Sequence, residues 1–421
     1  MPMRKLFQPA SFEEETNILN TWDEEQKTRL FAAADTFGLL KPLFRGFSAL
    51  HVAGTNGKGS LSTMVSCVLT AAGYKTGLFT SPHMYEENER IKVDGACIPQ
   101  ARLTKDLDEI YLRYPDLRLF DGYFDSAIRY FCEERVDFAV MEVGVGGRMD
   151  CTNLIIPDVC AIATIGLDHC DILGDTMEQV AYEKAGIAKP NIPLCLYPMM
   201  DPTAREVILK RCEAIGTPVV EYAKGEYTIT HLGGGRYTIS VSRPNLKIQN
   251  LSVPLLGEHQ GHNAALALIV IETLMGLGYE ITQEHIRKGF AMVRHPGRME
   301  QIASDPVTVL DGAHNEEGAL AAAAAIKKAY PHAPIILLTA MMSNKDAAKA
   351  SAALGAVADA VICTRVDTPR AMDAAVLAAL YGEKAVAISD PKEAYAHAKA
   401  ICPEGGVVFV AGSLYLPSAI L

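Results

Sequence analysis

The chain has 421 residues, 49% hydrophobic and 21% charged, which is enough apolar material for two or three packed domains. A formal net charge of −11 argues against a nucleic-acid binder, which needs clustered Lys and Arg, but not against an anionic substrate in a locally basic pocket. The ten cysteines are scattered without Cys-x-x-Cys spacing and read as reduced core thiols, not as a zinc site or disulfide frame. No apolar stretch approaches the roughly 18–20 residues of a membrane span. Arg4 and Lys5 precede no apolar run, so no signal peptide is expected and the predicted location is cytoplasmic.

Short apolar runs alternate with helical patterns from the start, which predicts a parallel α/β sheet. Ser48 to Ala53 reads as a buried strand, and a helix runs from about Lys58 to Ala72, closed by Gly73. Lys75 to Phe79 is a further strand, and Glu89 to Pro99, carrying Asp94-Gly95, predicts a hairpin. Helices are expected over Leu103 to Tyr114 and Tyr123 to Arg135, and strands over Val136 to Met141 and Val159 to Thr164. Thr176 to Lys189 reads as a helix stopped by Pro190. Alternating, Gly-punctuated residues from Tyr227 to Pro254 predict a small antiparallel sheet, followed by an apolar helix over His262 to Leu277.

The breaker cluster His295-Pro296-Gly297-Arg298 places a domain boundary, giving units of 1–295 and 296–421. Beyond it, strands at Val307 to Leu310, Ile335 to Thr339, Ala360 to Cys363, Ala385 to Ile388 and Val407 to Val410 alternate with Ala-rich helices such as Gly318 to Tyr330. The expected fold is therefore α/β: a P-loop-type, mostly parallel N-terminal domain with a small antiparallel subdomain, and a smaller Rossmann-like C-terminal domain.

The chemistry concentrates first at Gly54-Thr55-Asn56-Gly57-Lys58-Gly59-Ser60. A Gly-rich turn between strand and helix lets backbone N–H groups point at phosphate oxygens, and the helix N-terminus and Lys58 add positive charge. Ser60 is placed to face the metal that accompanies ATP. The segment lacks the first Gly and the hydroxyl after Lys of the common P-loop pattern. An ordinary Gly turn would share the glycines without needing Lys58.

With that loop, the segments Thr80-Ser81-Pro82-His83, Met141 to Asp150, Leu167-Asp168-His169 and Glu183-Lys184-Ala185-Gly186-Ile187 follow in order. So do His259 to Ala265, His295 to Arg298, Asp311-Gly312-Ala313-His314-Asn315 and Ala411 to Tyr415. Together they resemble the Mur ligase superfamily, specifically its folylpolyglutamate synthase/dihydrofolate synthase branch. The resemblance implies an ATP-dependent amide ligase that adds L-glutamate to a folate or dihydropteroate carboxylate through an acyl phosphate. It implies ATP and two Mg²⁺ as cofactors and a monomer acting on small molecules.

Residue roles implied by the resemblance follow the motifs. Glu142 would hold metal with Ser60 and Ser81, and His169 would serve a second metal. Lys58 and Lys184 would act on the phosphates, Lys184 in carbamylated form. Asn263 would contact adenine, Arg298 the phosphates and Asp311 the ribose. His314 would meet nucleotide or glutamate, although a capping residue ahead of the next helix would look the same. Ser413 would join the substrate site, and Lys345 would add an anion contact. On the acceptor side, Phe120, Asp121 and Phe124 occupy a stretch that departs from the family's Phe-Glu-x-x-Thr-Ala, with Asp121 for Glu and Phe124 for Thr. A Mur-like ligase acting on another carboxylate and amino acid, or a nucleotide-binding protein without ligase activity, are the other readings. Sites drawn from both domains imply closure over ATP before chemistry.

Overall fold

The computed structural model describes residues 17–36, 46–343 and 347–421. Its first sheet is built from β1 (Ser48–Ala53), β2 (Thr76–Phe79), β3 (Ile91–Val93), β4 (Ala96–Cys97), β5 (Phe138–Glu142), β6 (Val159–Ile162), β7 (Leu194–Leu196) and β8 (Val219–Val220). The spatial order is β4-β3-β2-β5-β1-β6-β7-β8, with β3 and β4 antiparallel at one edge and the remaining strands parallel. The central strands are almost wholly buried, as continuous apolar runs demand when helices cover both faces. β1 lies between β5 and β6, so the loops after these three strands emerge side by side at one edge.

A three-stranded antiparallel sheet of β9 (Tyr227–Gly233), β10 (Arg236–Ser242) and β11 (Lys247–Ser252) packs its apolar face, including Tyr237, Ile239 and Val241, into the same core as the Lys58–Ala71 and Glu258–Gly276 helices. The chain then passes through His295–Arg298 into the last sheet. This contains β12 (Glu300–Ser304), β13 (Val307–Leu310), β14 (Ile335–Thr339), β15 (Ala360–Cys363), β16 (Ala385–Ala387) and β17 (Val407–Ala411), ordered β12-β13-β17-β14-β15-β16. None of the ten cysteines is in a disulfide. No helix among the described residues is long and apolar enough to cross a membrane.

Several boundaries differ from the sequence expectation for local reasons. The helix expected to reach Lys189 spans Met177–Ala185 and ends at Gly186, four residues before Pro190. There a Cβ would lie 2.4 Å from Arg148 Cβ, and Arg148 N–H donates to the carbonyl of Glu183. The helix expected from His262 begins at Glu258, so Asn263 lies within it and not at its start. The last sheet gains the antiparallel edge strand β12, and β7, β8 and the Pro202–Ile215 helix were not foreseen. That helix has Asp201 as its cap and Pro202 in its first turn, a legible start signal.

The Lys58–Ala71 helix is clamped from behind by the Gln283–Met292 helix at Gly289, where an added Cβ would stand 2.5 Å from Val68 Cα. Because the obstacle is backbone, the helices must separate to admit a methyl group. Gly289→Ala is expected to lower stability by about 1–3 kcal/mol, as overpacking does. Urea unfolding measures this; an unchanged midpoint would contradict the close contact.

Candidate active site

The glycine loop leaves β1 at Gly54 (φ +148°) and enters the helix at Gly57 (φ +86°), conformations that L side chains rarely adopt. At Gly54 a Cβ would come within 2.8 Å of Ala163 Cβ. Loop and β6 are stitched together: Thr55 N–H donates to the carbonyl of Thr164 (2.6 Å), Thr55 Oγ1 to the carbonyl of Gly166 (2.9 Å), and Asn56 N–H to Thr164 Oγ1 (3.2 Å). Gly57 supplies no side-chain cap, so the first N–H groups of the helix are left available to an anion.

Two ammonium groups meet on one carbonyl. Lys58 Nζ donates to the carbonyls of Gly54 (3.1 Å) and Thr55 (3.2 Å), and Lys184 Nζ donates to the carbonyl of Gly54 (2.9 Å). Burial of Lys184 and repulsion from Lys58 bring its pKa down to about 7, against the opposing pull of Asp168, Glu317 and Asp150. Near neutral pH the Lys184 amine is therefore substantially unprotonated.

Glu142, 2% exposed, ends β5 beside this loop. Its Oε2 accepts from Ser81 N–H (3.1 Å), and its Oε1 lies 3.9 Å from Lys58 Nζ. Burial raises its pKa, with Lys58, the Ser81 N–H, Arg298 and Arg90 working in the opposite direction. Among the described residues no three His, Cys, Asp or Glu side chains converge as a metal cage. The donors at the loop are hard oxygens, Glu142 with the hydroxyls of Ser60 and Ser81. Such a set fits a small divalent cation that takes its remaining ligands from phosphate and water.

His169 sits exposed at φ +50° on the loop after β6, ahead of the short Cys170–Leu173 helix. Asp168 beside it accepts from Asn315 Nδ2 (2.9 Å) across the junction between the two large sheets. Further links cross there: Asn56 Nδ2 donates to Glu317 Oε2 (2.8 Å) and Asn315 Nδ2 to Asn56 Oδ1 (3.2 Å). Thr164 Oγ1 adds a contact to Glu317 at 3.2 Å.

From the last sheet, Asp311 accepts from Met299 and Ala313 N–H groups, both at 2.9 Å, and burial raises its pKa. His314 Nδ1 is 2.8 Å from the carbonyl of Gly312, and Asn315, not His314, caps the Glu316–Ala329 helix. Ser413 is 3% exposed and its Oγ accepts from Tyr415 N–H. Asn263 is buried with its amide against Gly57, where a Cβ would meet Oδ1 at 2.5 Å, and it donates to Gln260 Oε1. Lys345 lies outside the described residues.

The acceptor-side residues divide. Phe120 is partly exposed, its ring against Gly144 and 5.4 Å from Phe79. Asp121 is turned inward, paired with Arg29 at 2.5 Å. Phe124 is fully buried against Phe79, which removes its ring from contact with a ligand. Sequence reading passed over Arg90. Its Nε donates to His83 Nδ1 (2.9 Å), its guanidinium lies over the Tyr123 ring, and it has no carboxylate partner among the described residues. Burial lowers the Arg90 pKa while Tyr123, Tyr415, Glu87 and Glu142 counter it.

Known proteins share this arrangement. The Mur ligase middle domain family matches residues 123–271, and the Mur ligase, glutamate ligase domain family matches residues 297–414. Dihydrofolate synthase/folylpolyglutamate synthase of Mycobacterium tuberculosis is 34% identical over 386 residues, covering 85% of this chain and 77% of the relative. Folylpolyglutamate synthase of Lacticaseibacillus casei is 33% identical, covering 88% of each. The chain belongs to the folylpolyglutamate synthase/dihydrofolate synthase family of Mur ligases. The structure of the Mycobacterium tuberculosis folylpolyglutamate synthase complexed with ADP and AMPPCP superposes with a TM-score of 0.84 at 30% identity, covering 96% of this chain and 98% of that one. The chain is an ATP-dependent acid–amino-acid ligase.

Beneath the sheet of this ligase, Lys189 is 1% exposed and donates to Asn153 Oδ1 (2.6 Å). Burial brings its pKa down to about 8. A folded-state pKa below the unfolded value near 10.4 means that the unfolded chain binds more protons between these limits. The cost of burying Lys189 is thus full below about pH 8 and disappears as pH rises toward the unfolded value. Lys189→Met is expected to reduce the rise in stability between pH 8 and 10 seen by denaturant titration; an identical pH slope would contradict it.

Proposed function

We propose that the chain joins L-glutamate to the carboxylate of a reduced folate or dihydropteroate, with the glycine loop, Lys58, Lys184 and Glu142 as the phosphoryl-transfer centre. The observation that carries this reading is the uncapped helix at Gly57 with Lys58 and Lys184 on one carbonyl and the Glu142 carboxylate alongside. It is a site made for a polyphosphate and a hard cation, at the carboxyl edge of a parallel sheet.

In this reading the N–H groups of Gly57 to Ser60 hold the ATP phosphates, with Lys58 turning from the Gly54 carbonyl to the transferring group. Arg298 adds positive charge from the junction, Asn263 lies on the nucleotide's path beside Gly57, and Asp311 takes the ribose. Ser60, Ser81 and Glu142 would hold a divalent cation, which would supply positive charge to offset the negative charge of the transferring phosphoryl group. A carboxylate oxygen of the acceptor attacks the γ-phosphorus, ADP departs, and an acyl phosphate forms. The unprotonated amine of glutamate then attacks the acyl carbon. Phosphate leaves as the amide forms, and the amine proton passes to solvent or to the departing phosphate. His314 and Ser413 place glutamate from the last sheet, and Phe120 forms an aromatic wall for the acceptor. Phe124 and Asp121 support that wall from within, through Phe79 and Arg29. His169, exposed on the loop after β6, would serve a second cation.

Lys184 fits carbamylation, because its neutral amine has the lone pair needed to attack CO₂. The new N–C bond forms as one C=O π bond of CO₂ opens, one proton is lost, and a carbamate anion replaces the neutral amine beside the Gly54 carbonyl that Lys58 also meets. Excluding CO₂ and bicarbonate is therefore expected to depress turnover, with recovery on adding bicarbonate; indifference to bicarbonate would remove this part of the reading.

The whole proposal is tested by phosphate release with ATP, Mg²⁺, glutamate and either dihydropteroate or tetrahydrofolate. Turnover is expected with at least one acceptor, and none with either would overturn the acceptor class. Lys58→Ala is expected to lower turnover by at least about 100-fold with an unchanged unfolding transition. Retained activity would overturn the role of the loop.

A further inference from the structure

His295 opens the crossing between the first and last sheets, and its imidazole reaches back to the phosphate loop. A Cβ at Gly59 would stand 2.9 Å from His295 Nε2 and 3.6 Å from Glu142 Oε2, so both groups approach the same face of this glycine, and a side chain there would collide with the imidazole. Nε2 is sealed from solvent and has no hydrogen-bond partner among the described residues, although the residue as a whole is partly exposed. A buried polar nitrogen without a partner is costly and calls for an explanation at its location.

The other ring nitrogen identifies what Nε2 offers. Nδ1 contacts Thr63 Oγ1 at 3.5 Å, and the Thr63 hydroxyl already donates its hydrogen to the carbonyl of Gly59 (2.8 Å). Thr63 Oγ1 is thus left as an acceptor, and Nδ1 must carry the ring hydrogen. Burial, with Arg298 and Lys92 nearby, keeps the ring neutral. Nε2 then presents a bare lone pair at the glycine face that a Glu142 carboxylate oxygen also approaches. Two acceptors brought to one buried place repel unless a donor lies between them.

We propose that the Nε2 lone pair of His295 takes a hydrogen bond from the hydration shell of the divalent cation held by Ser60 and Glu142, making His295 a positioning residue for the metal–nucleotide complex. The inference rests on the assignment of Ser60 and Glu142 as holders of that cation. A cation of the Mg²⁺ type keeps several waters when bound by few protein ligands, and each such water is a strong donor. An outer partner of this kind fixes the orientation of the aqua ligand beside Glu142. It also ties the metal site to the segment that leads into the last sheet.

The test is Mn²⁺ binding with saturating non-hydrolysable ATP analogue, read from the electron paramagnetic resonance signal of free Mn²⁺. His295→Phe and His295→Ala are expected to weaken Mn²⁺ binding by about 10–100-fold, the usual effect of losing an outer-shell partner. His295→Gln, whose amide oxygen can stand near the place of Nε2, is expected to recover most of the affinity. Analogue binding in EDTA is expected to be unchanged in all three. Ala is the backup for Phe, since it asks less of the surrounding packing. Wild-type Mn²⁺ affinity in the Phe and Ala variants would overturn the proposal, as would an equal loss of analogue binding in EDTA. Glu142→Gln separates the two layers of the argument. If it alone weakens Mn²⁺ binding, the His295 inference fails, and if it too is without effect, the metal assignment fails.

Discussion

The carbonyl oxygen of Gly54 carries the electrostatic balance of the site. Lys58 and Lys184 both donate to it, and neither lysine forms a close ion pair with a carboxylate among the described residues, the Glu142 oxygen at 3.9 Å being the nearest approach. Two buried ammonium groups on one acceptor are not stable together, so one of them gives up its proton readily. Lys184, the deeper of the two, is the one with the lowered pKa. The site is therefore under-neutralised, and in the reading proposed above it becomes balanced when ATP phosphates reach the loop and the acceptor carboxylate lies beside them.

The sheet order makes this crowding possible. Because β1 lies between β5 and β6, the glycine loop, Glu142 and the Thr164–Asp168 segment share one edge. Asp150 then fastens the turn after β5, accepting from the N–H groups of Gly144, Val145 and Thr152. Across the junction, Asn315 and Glu317 reach Asn56, Thr164 and Asp168. The phosphate loop is thus held by side chains from both halves of the chain, and movement of the last sheet is felt directly at Asn56.

Much of this was legible in the sequence, and what was missed has identifiable physical reasons. β1, β13, β14 and β15 fall at the residues that their apolar runs marked. Local pattern also placed Lys58 at the start of a helix and Glu142 at the end of a strand. Long-range packing was invisible: nothing near Arg90 says that a short hairpin will bring it over Tyr123 and toward Glu142. The tautomer of His295 depends on Thr63, distant in sequence, and the Asn56–Glu317 contact joins residues from opposite halves. The departure at Phe124 was visible as a changed residue, but only its position against Phe79 shows that the change serves packing. Helix ends were misplaced where a tertiary contact intervened, as at Gly186 against Arg148.

The cationic interior stands in contrast to a chain whose formal net charge is −11. An incoming nucleotide or carboxylate first meets a repulsive outer field, and attraction takes over only within a few ångströms of the loop. At physiological ionic strength the screening length is about 8 Å, enough to damp the outer field while leaving the buried lysines nearly unscreened. Capture of its anionic substrates should therefore quicken as salt is raised from low levels, opposite to enzymes that draw such ligands in by a basic surface.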